Sequence, residues 1–156
     1  MGHEIERKFL VRPDAWSPAG PGTPFRQGYL SAHPERVVRV RIAGGEAWLT
    51  VKGVTRGLTR SEFEYPIPVP DAAAMLDGLC ERPLIEKDRH VEVHGGKTWE
   101  IDVFHGENEG LVLAELELAS EDEPFPRPAW AGDEVSEDPR YANASLARSP
   151  FSRWKR

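Results

Sequence analysis

Charge at a spacing of two is the feature that most restricts what this chain can fold into. The chain opens with Glu4-Ile5-Glu6-Arg7-Lys8, and the pattern returns at Arg39/Arg41, Glu62/Glu64, Lys87/Arg89, Glu100/Asp102 and Glu115/Glu117. In a β-strand, residues two apart share a face. The positions between them are mostly apolar: Val38, Val40, Phe63, Trp99, Ile101, Val103, Ala114, Leu116 and Leu118. A half-buried sheet normally turns apolar residues to the core and scattered polar residues to water. Here one face is charged in strand after strand, with both signs. The pattern predicts a sheet curled around a charged cavity, its apolar face packed outward under helices. Five Glu-x-Glu pairs occur where this composition gives about two by chance. Three lie inside alternating apolar segments. Glu107/Glu109 and Glu121/Glu123 sit beside Gly or Pro and read as solvated loop charges.

Alternation and turn residues set the elements. Strands are predicted over 3–11, 25–31, 37–43, 46–52, 61–68, 84–93, 98–105 and 111–119. Gly44-Gly45 and Gly95-Gly96 mark two tight hairpins, because glycine accepts positive φ. A helix is predicted from Pro70-Asp71, with Asp71 as its cap, through Cys80. Residues 120–137 are acidic and Pro-rich and read as a surface connection. Asp138-Pro139 starts a final helix that ends before Pro150. The expected class is α+β, mainly β: about eight strands, largely antiparallel, closed into a barrel, with a few helices outside.

The 156 residues suit one domain, 1–156, with room for a core. A net charge of -6 argues against a generic nucleic-acid binder but permits a local cationic cluster that takes an anion. The lone cysteine, Cys80, excludes an intrachain disulfide and fits a buried thiol in a reducing cytoplasm. The charged opening does not read as a signal peptide, and no apolar run approaches membrane length. A homodimer is left open.

Sorting by parity gathers Glu4, Glu6, Lys8, Gln27, Tyr29, Arg39, Arg41, Lys52, Arg60, Glu62, Glu64, Lys87, Arg89, Glu100, Asp102, Glu115 and Glu117 on one face. Burying such a face is costly unless its charges pair or meet ligands. A closed antiparallel barrel wide enough for water and a ligand is the simplest solution. Carboxylates without Cys or His partners suit hard cations such as Mg²⁺ or Mn²⁺. Clustered Arg and Lys suit phosphate, Arg through bidentate forks and Lys as a point charge. Together they describe a metal–polyphosphate site. Rival motifs are poor. Gly96-Lys97-Thr98 ends like a P-loop, but the glycine required upstream is Val91. The five histidines lack zinc spacing, and no Gly-x-Ser-x-Gly elbow occurs. The tail Arg153-Trp154-Lys155-Arg156 reads as a solvated basic end.

The motifs resemble those of the CYTH superfamily, the triphosphate tunnel metalloenzymes. The resemblance runs from Glu4-x-Glu6-x-Lys8 through Arg26-Gln27-Gly28-Tyr29-Leu30, Arg39-Val40-Arg41, Thr50-Val51-Lys52 and Arg60-x-Glu62-x-Glu64. It continues through Glu86-Lys87-x-Arg89, Glu100-Ile101-Asp102-Val103-Phe104, Glu115-Leu116-Glu117 and Asp138-Pro139-Arg140-Tyr141-x-Asn143. It implies an eight-stranded antiparallel tunnel barrel, a triphosphate-containing substrate and Mg²⁺ or Mn²⁺. The compact length and the opening EIERKFLV look most like the small bacterial inorganic triphosphatases. The resemblance and parity together put metal on Glu4, Glu6, Glu115 and Glu117, with Asp102, Glu62 and Glu64 as second choices. They put phosphate on Lys8, Arg39, Arg41, Lys52, Lys87 and Arg89, and suggest Lys8 and Tyr29 as a proton-accepting pair. The expected reaction is water attack on tripolyphosphate, giving pyrophosphate and phosphate. A class IV adenylate cyclase, a nucleoside or thiamine triphosphatase and a non-catalytic polyphosphate-binding module are the other readings.

Overall fold

A computed structural model describes residues 2–154; Lys155 and Arg156, half of the basic tail, lie outside the described residues. Among the described residues the chain forms nine strands, two α-helices and three short 3₁₀ turns. The strands are β1 (His3–Val11), β2 (Thr23–His33), β3 (Arg36–Ala43), β4 (Glu46–Gly53), β5 (Thr59–Ile67), β6 (Ile85–His94), β7 (Lys97–Phe104), β8 (Val112–Glu117) and β9 (Ala131–Glu134). The helices are α1 (Val69–Gly78) and α2 (Asn143–Arg148). The sheet runs β5-β4-β3-β2-β6-β7-β8-β1-β9, and β1 also pairs with β5. That extra pairing closes eight strands into a ring, with every ladder antiparallel.

The hairpins show why the strands fold back where they do. His94 pairs with Lys97 across Gly95-Gly96, and both glycines have positive φ. That geometry matches the right-handed twist of the flanking strands. At the other predicted hairpin only Gly44 is left-handed.

The apolar outer face is covered in two different ways. Over β3 and β4, Ala72, Leu76 and Cys80 of α1 and the turn after it pack on Val40 and Ala47. Over β1, β7 and β8 the cover is not a helix. Phe9, Trp99, Ile101, Ala114 and Leu116 meet Trp130 and Ala131, with Phe125 against them. The acidic, Pro-rich stretch read as a surface connection therefore seals half the barrel and contributes β9. Its signal was the spacing of Phe125 and Trp130, overshadowed by the charges around them. Trp99 makes ring contacts with Phe9, Phe125 and Trp130 at 5.5, 5.9 and 5.3 Å. Burial of Phe9 alone contributes about 1.5–3 kcal/mol.

Several local expectations need correction. Pro68, not Asp71, occupies the N-cap of α1, and no side chain caps it; two prolines pre-set the first turn instead. The final helix is broken into a 3₁₀ turn at Pro139–Tyr141, α2, and another turn at Phe151–Arg153. Asp138 does cap the first of these, accepting from the Arg140 N–H. Glu121 and Glu123 lie in a loop, as read, but each has a partner: Glu121 accepts from the Thr59 hydroxyl at 2.5 Å, and Glu123 pairs with Lys97. Among the described residues no helix is long and apolar enough to cross a membrane.

The C-terminal segment gives the ring an inside and an end. Leu113, Phe104 and Ile85 share the faces of Glu115, Asp102 and Lys87, yet they pack in one cluster with Tyr29, Tyr141, Leu146 and Ala147. One end of the inward face is thus apolar and filled by α2 and the turn before it. The rest stays open and charged.

Candidate active site

The inward face encloses a cavity of about 650 Å³. Its walls carry Glu4, Glu6, Lys8, Tyr29, Arg39, Arg41, Lys52, Arg60, Glu62, Glu64, Lys87, Arg89, Glu100, Glu115 and Glu117. Every strand of the ring contributes, because a period of two keeps each charged set on one side of its strand. Of the residues expected on this face, Asp102 and Gln27 lie behind the surface, fully buried, and hold the residues in front of them.

The cationic wall is β2, β3 and β6. Asp102 anchors it, accepting from Lys87 Nζ at 2.7 Å and from Arg89 Nε and Nη2 at 2.8 and 2.9 Å. These two cations hold the Asp102 carboxyl well below the usual carboxylate range, against the upward push of its own burial. Lys87 is pulled down to about 7, first by burial and also by Arg89 and Arg41, with Asp102 opposing. Arg41 is likewise pushed down by burial, Arg39 and Arg89, although a guanidinium stays protonated. Among the described residues it has no carboxylate partner; its Nε donates to Gln27 Oε1 at 2.7 Å. Arg39 Nη2 reaches Thr50 Oγ1 at 3.2 Å and Glu64 Oε2 at 3.4 Å, but its buried Nε has no partner among the described residues.

The acidic wall is β1 and β8, with Glu62 of β5 beside it. Glu6 lies directly opposite Glu117 across the ladder, and Lys8 opposite Glu115. Like charges at such positions repel. Lys52 serves both Glu4, at 3.0 Å, and Glu62, at 3.5 Å. Glu115 reaches Lys8 at 3.5 Å and Arg89 at 3.3 Å, and despite burial these cations keep it low. Among the described residues, neither Glu6 nor Glu117 is in an ion pair. Glu6 is raised to about 8 by burial, then by Glu115 and Glu4. Glu117 is raised by burial and by Glu4, Glu62 and Glu100.

The seven expected metal ligands therefore divide. Glu64 and Asp102 are taken up by Arg39, Lys87 and Arg89, and Glu4 and Glu62 share Lys52. Glu6 and Glu117 are left facing each other, with Glu115 nearby. Among the described residues no three acids, histidines or cysteines are already gathered as a metal cage. The donor set still fits a hard divalent cation: it is all oxygen, it is doubly short of positive charge at Glu6 and Glu117, and it faces the cavity.

The proposed proton-accepting pair looks different in place. Burial lowers the Lys8 amine, but Glu115, Glu6 and Glu4 outweigh that and leave it raised. The Tyr29 hydroxyl accepts from Gln27 Nε2 at 3.2 Å. Two further residues were not singled out for this network. Asn143 Oδ1 accepts from both Lys87 Nζ, at 2.9 Å, and Gln27 Nε2, at 3.1 Å, tying α2 to the cationic wall. Phe25 packs against Arg41 and Arg89. Its parity with Gln27 and Tyr29 was a usable signal.

Known proteins resemble this chain over most of its length. The CYTH domain matches residues 2–149. The chain is 48% identical over 155 residues to an inorganic triphosphatase of Acetivibrio thermocellus, covering 99% of each chain. It is 41% identical over 152 residues to an inorganic triphosphatase of Nitrosomonas europaea, covering 94% of this chain and 97% of that one. A crystal structure of an inorganic triphosphatase superposes with a TM-score of 0.65 at 39% identity, over 92% of this chain and 93% of the other.

Proposed function

The chain belongs to the CYTH domain family, and from that premise we propose that it is a metal-dependent hydrolase of triphosphates, acting on inorganic tripolyphosphate as one domain over 1–156. The observation that carries the reading is the separation of charge in one cavity. Among the described residues Arg41 presents terminal donors that no carboxylate consumes, opposite Glu6 and Glu117, which are in no ion pair. A polyphosphate with its divalent counter-ion supplies what each wall lacks. The two curated relatives are inorganic triphosphatases, which favours tripolyphosphate over an organic triphosphate.

Glu6 and Glu117, with Glu4 and Glu115 beside them, would hold the cation, Mg²⁺ or Mn²⁺. Bound there, it supplies charge neutralisation at the phosphate oxygens and a site for the attacking water. Glu62 and Glu64 sit further along the same cavity, paired with Lys52 and Arg39, and would act on the cation side only through water. Lys8, Arg39, Arg41, Lys52, Lys87 and Arg89 would grip the phosphate chain. Phosphoryl transfer needs mainly positioning and charge stabilisation, so these contacts also carry rate. Water oxygen bonds to a terminal phosphorus, the bridging P–O bond breaks, and pyrophosphate leaves with that bond's electrons. For the water's proton, Lys87 is better suited than Lys8 with Tyr29. Its amine is held near 7, within reach of proton exchange at neutral pH, whereas the glutamates keep Lys8 charged.

Phosphorus NMR of products tests the reading. Tripolyphosphate and, separately, ATP are incubated with the protein and Mg²⁺ or Mn²⁺, and again with chelator. The expected result is metal-dependent pyrophosphate plus phosphate from tripolyphosphate, with ATP spared. Cyclic AMP from ATP, faster turnover of ATP, or no turnover of either substrate overturns it.

A further inference from the structure

Arg41 is the cavity cation with the least to hold it. Among the described residues it has no carboxylate partner, and its one hydrogen bond, to Gln27, uses Nε. Its terminal nitrogens are left to the cavity. What fixes the guanidinium is the ring of Phe25, whose centroid lies 4.7 Å from the Arg41 Cζ. The same ring lies 4.6 Å from the Arg89 Cζ and 5.8 Å from Lys87 Nζ. Arg89 is pinned independently by Asp102. Phe25 therefore links a free arginine to an anchored one.

The register explains the meeting. Phe25 pairs with Lys87 on one side and with Ala43 on the other, so Arg41 and Arg89 are its diagonal neighbours on the inward face. The ring also stands behind the cations. It lines a second recess of about 480 Å³ and does not line the main cavity, while Lys87 lines both.

We propose that Phe25 is a positioning residue for phosphate binding. It holds the Arg41 guanidinium by cation–π attraction while leaving its terminal N–H groups to a polyphosphate. A carboxylate in that place would cancel the charge and occupy the donors. An aromatic face does neither. The inference rests on the triphosphate reading of the cavity and names a residue that reading does not use.

The test is tripolyphosphate binding by calorimetry in the presence of chelator, so that turnover is not needed, on wild type, Phe25→Leu, Phe25→Met, Phe25→Tyr, Phe25→Trp, Arg41→Ala and the double variant Phe25→Leu/Arg41→Ala. Leu and Met should weaken binding about tenfold, and Tyr and Trp should restore it. In the Arg41→Ala background the Phe25→Leu change should cost almost nothing further, because both act through one contact. A purely structural ring gives additive losses, or equal losses for Tyr and Leu, and either result overturns the proposal, as does wild-type affinity in Leu or Met. If Leu fails to fold, Met and the aromatic pair decide the question. Wild type that binds tripolyphosphate in this pattern but never cleaves it sinks the hydrolase reading and leaves the Phe25 assignment standing.

Discussion

On the β1–β8 side of the cavity Glu6 faces Glu117 and, among the described residues, neither is in an ion pair, whereas on the β2–β3–β6 side Arg39, Arg41, Lys87 and Arg89 crowd together with Asp102 as their main counter-charge. Both walls come from the same alternation of charged and apolar residues. They differ in how much of their charge the protein settles internally. The cationic wall is stiffened by a buried carboxylate, an aromatic ring and two carboxamides, so its donors are preorganised. The acidic wall is left in deficit, so it awaits a cation. A folded chain tolerates such a deficit because Glu6 can stay protonated near neutral pH. Stability and function are thus divided between the walls, and substitutions should separate them.

The largest effect should come from the wall in deficit. Glu6→Gln removes a ligand oxygen charge without changing shape. Activity with divalent cation should fall about 10²–10³-fold, while the melting temperature of the metal-free protein holds or rises, since the burial of the charge and its repulsion with Glu115 and Glu4 are relieved. Wild-type turnover at saturating metal would remove Glu6 from the site. Loss of fold would show that the two walls are not divided as described.

Asp102→Asn should do the reverse and damage the fold as well as the rate. Its carboxylate is fully buried between Lys87 and Arg89. Replacing it strands the buried Arg89 guanidinium and leaves Lys87 to shed its proton, which costs about 3–5 kcal/mol. Urea denaturation measures this directly. A loss no larger than that of a surface pair would mean water reaches the cluster.

Much of this was legible before the structure. Parity alone put Glu4, Glu6, Lys8, Arg39, Arg41, Lys52, Lys87, Arg89, Glu115 and Glu117 on one surface, because strand periodicity is a property of the backbone and not of its partners. Eight of the strands were legible for the same reason. What parity could not give was depth along the strand. Leu113 and Glu115 share a face, yet one is packed under Leu146 and the other lines the cavity. That difference is made by α2, whose docking is a long-range contact without a local pattern. Nor could parity tell that Asp102 would spend its charge on Lys87 and Arg89, which leaves it buried behind the cationic wall. β9 was missed because Ala131–Glu134 has no alternation of its own and exists only as an edge added to β1.

A smaller effect should appear in the pH dependence of the metal-free protein. Glu6 is raised from 4.5 to about 8, so its contribution to stability is complete below 4.5 and is lost as pH rises through 8. Lys87 is lowered from 10.5 to about 7. Between those values the unfolded chain binds the extra proton, so stability rises with pH there. The two limbs meet near neutrality, and the melting temperature in chelator should dip by a few degrees at about pH 7–8. Saturating divalent cation should flatten the limb from 4.5 to 8 and leave the alkaline limb in place. A melting temperature that peaks at pH 7–8 in chelator would contradict the assigned directions for both walls.

The smallest effect should come from the other side of β1. Arg7, between Glu6 and Lys8, points outward and meets Glu134 of β9 with Nη2–Oε1 at 2.6 Å and Nε–Oε2 at 2.8 Å. This is better hydrogen-bond geometry than the 3.5 Å contact of Lys8 with Glu115, yet it should matter far less. Both partners are about a quarter exposed, so water screens the pair and already solvates each charge when it is broken. Glu134→Gln should lower stability by about 0.2–1 kcal/mol and leave turnover, metal dependence and tripolyphosphate affinity unchanged. Glu115→Gln, a tenth exposed and facing Lys8 and Arg89, should lose both activity and stability. If the outer substitution proved as costly as the inner one, the charges on the two faces of β1 would differ only in position, and the cavity would have no claim to a special electrostatic role.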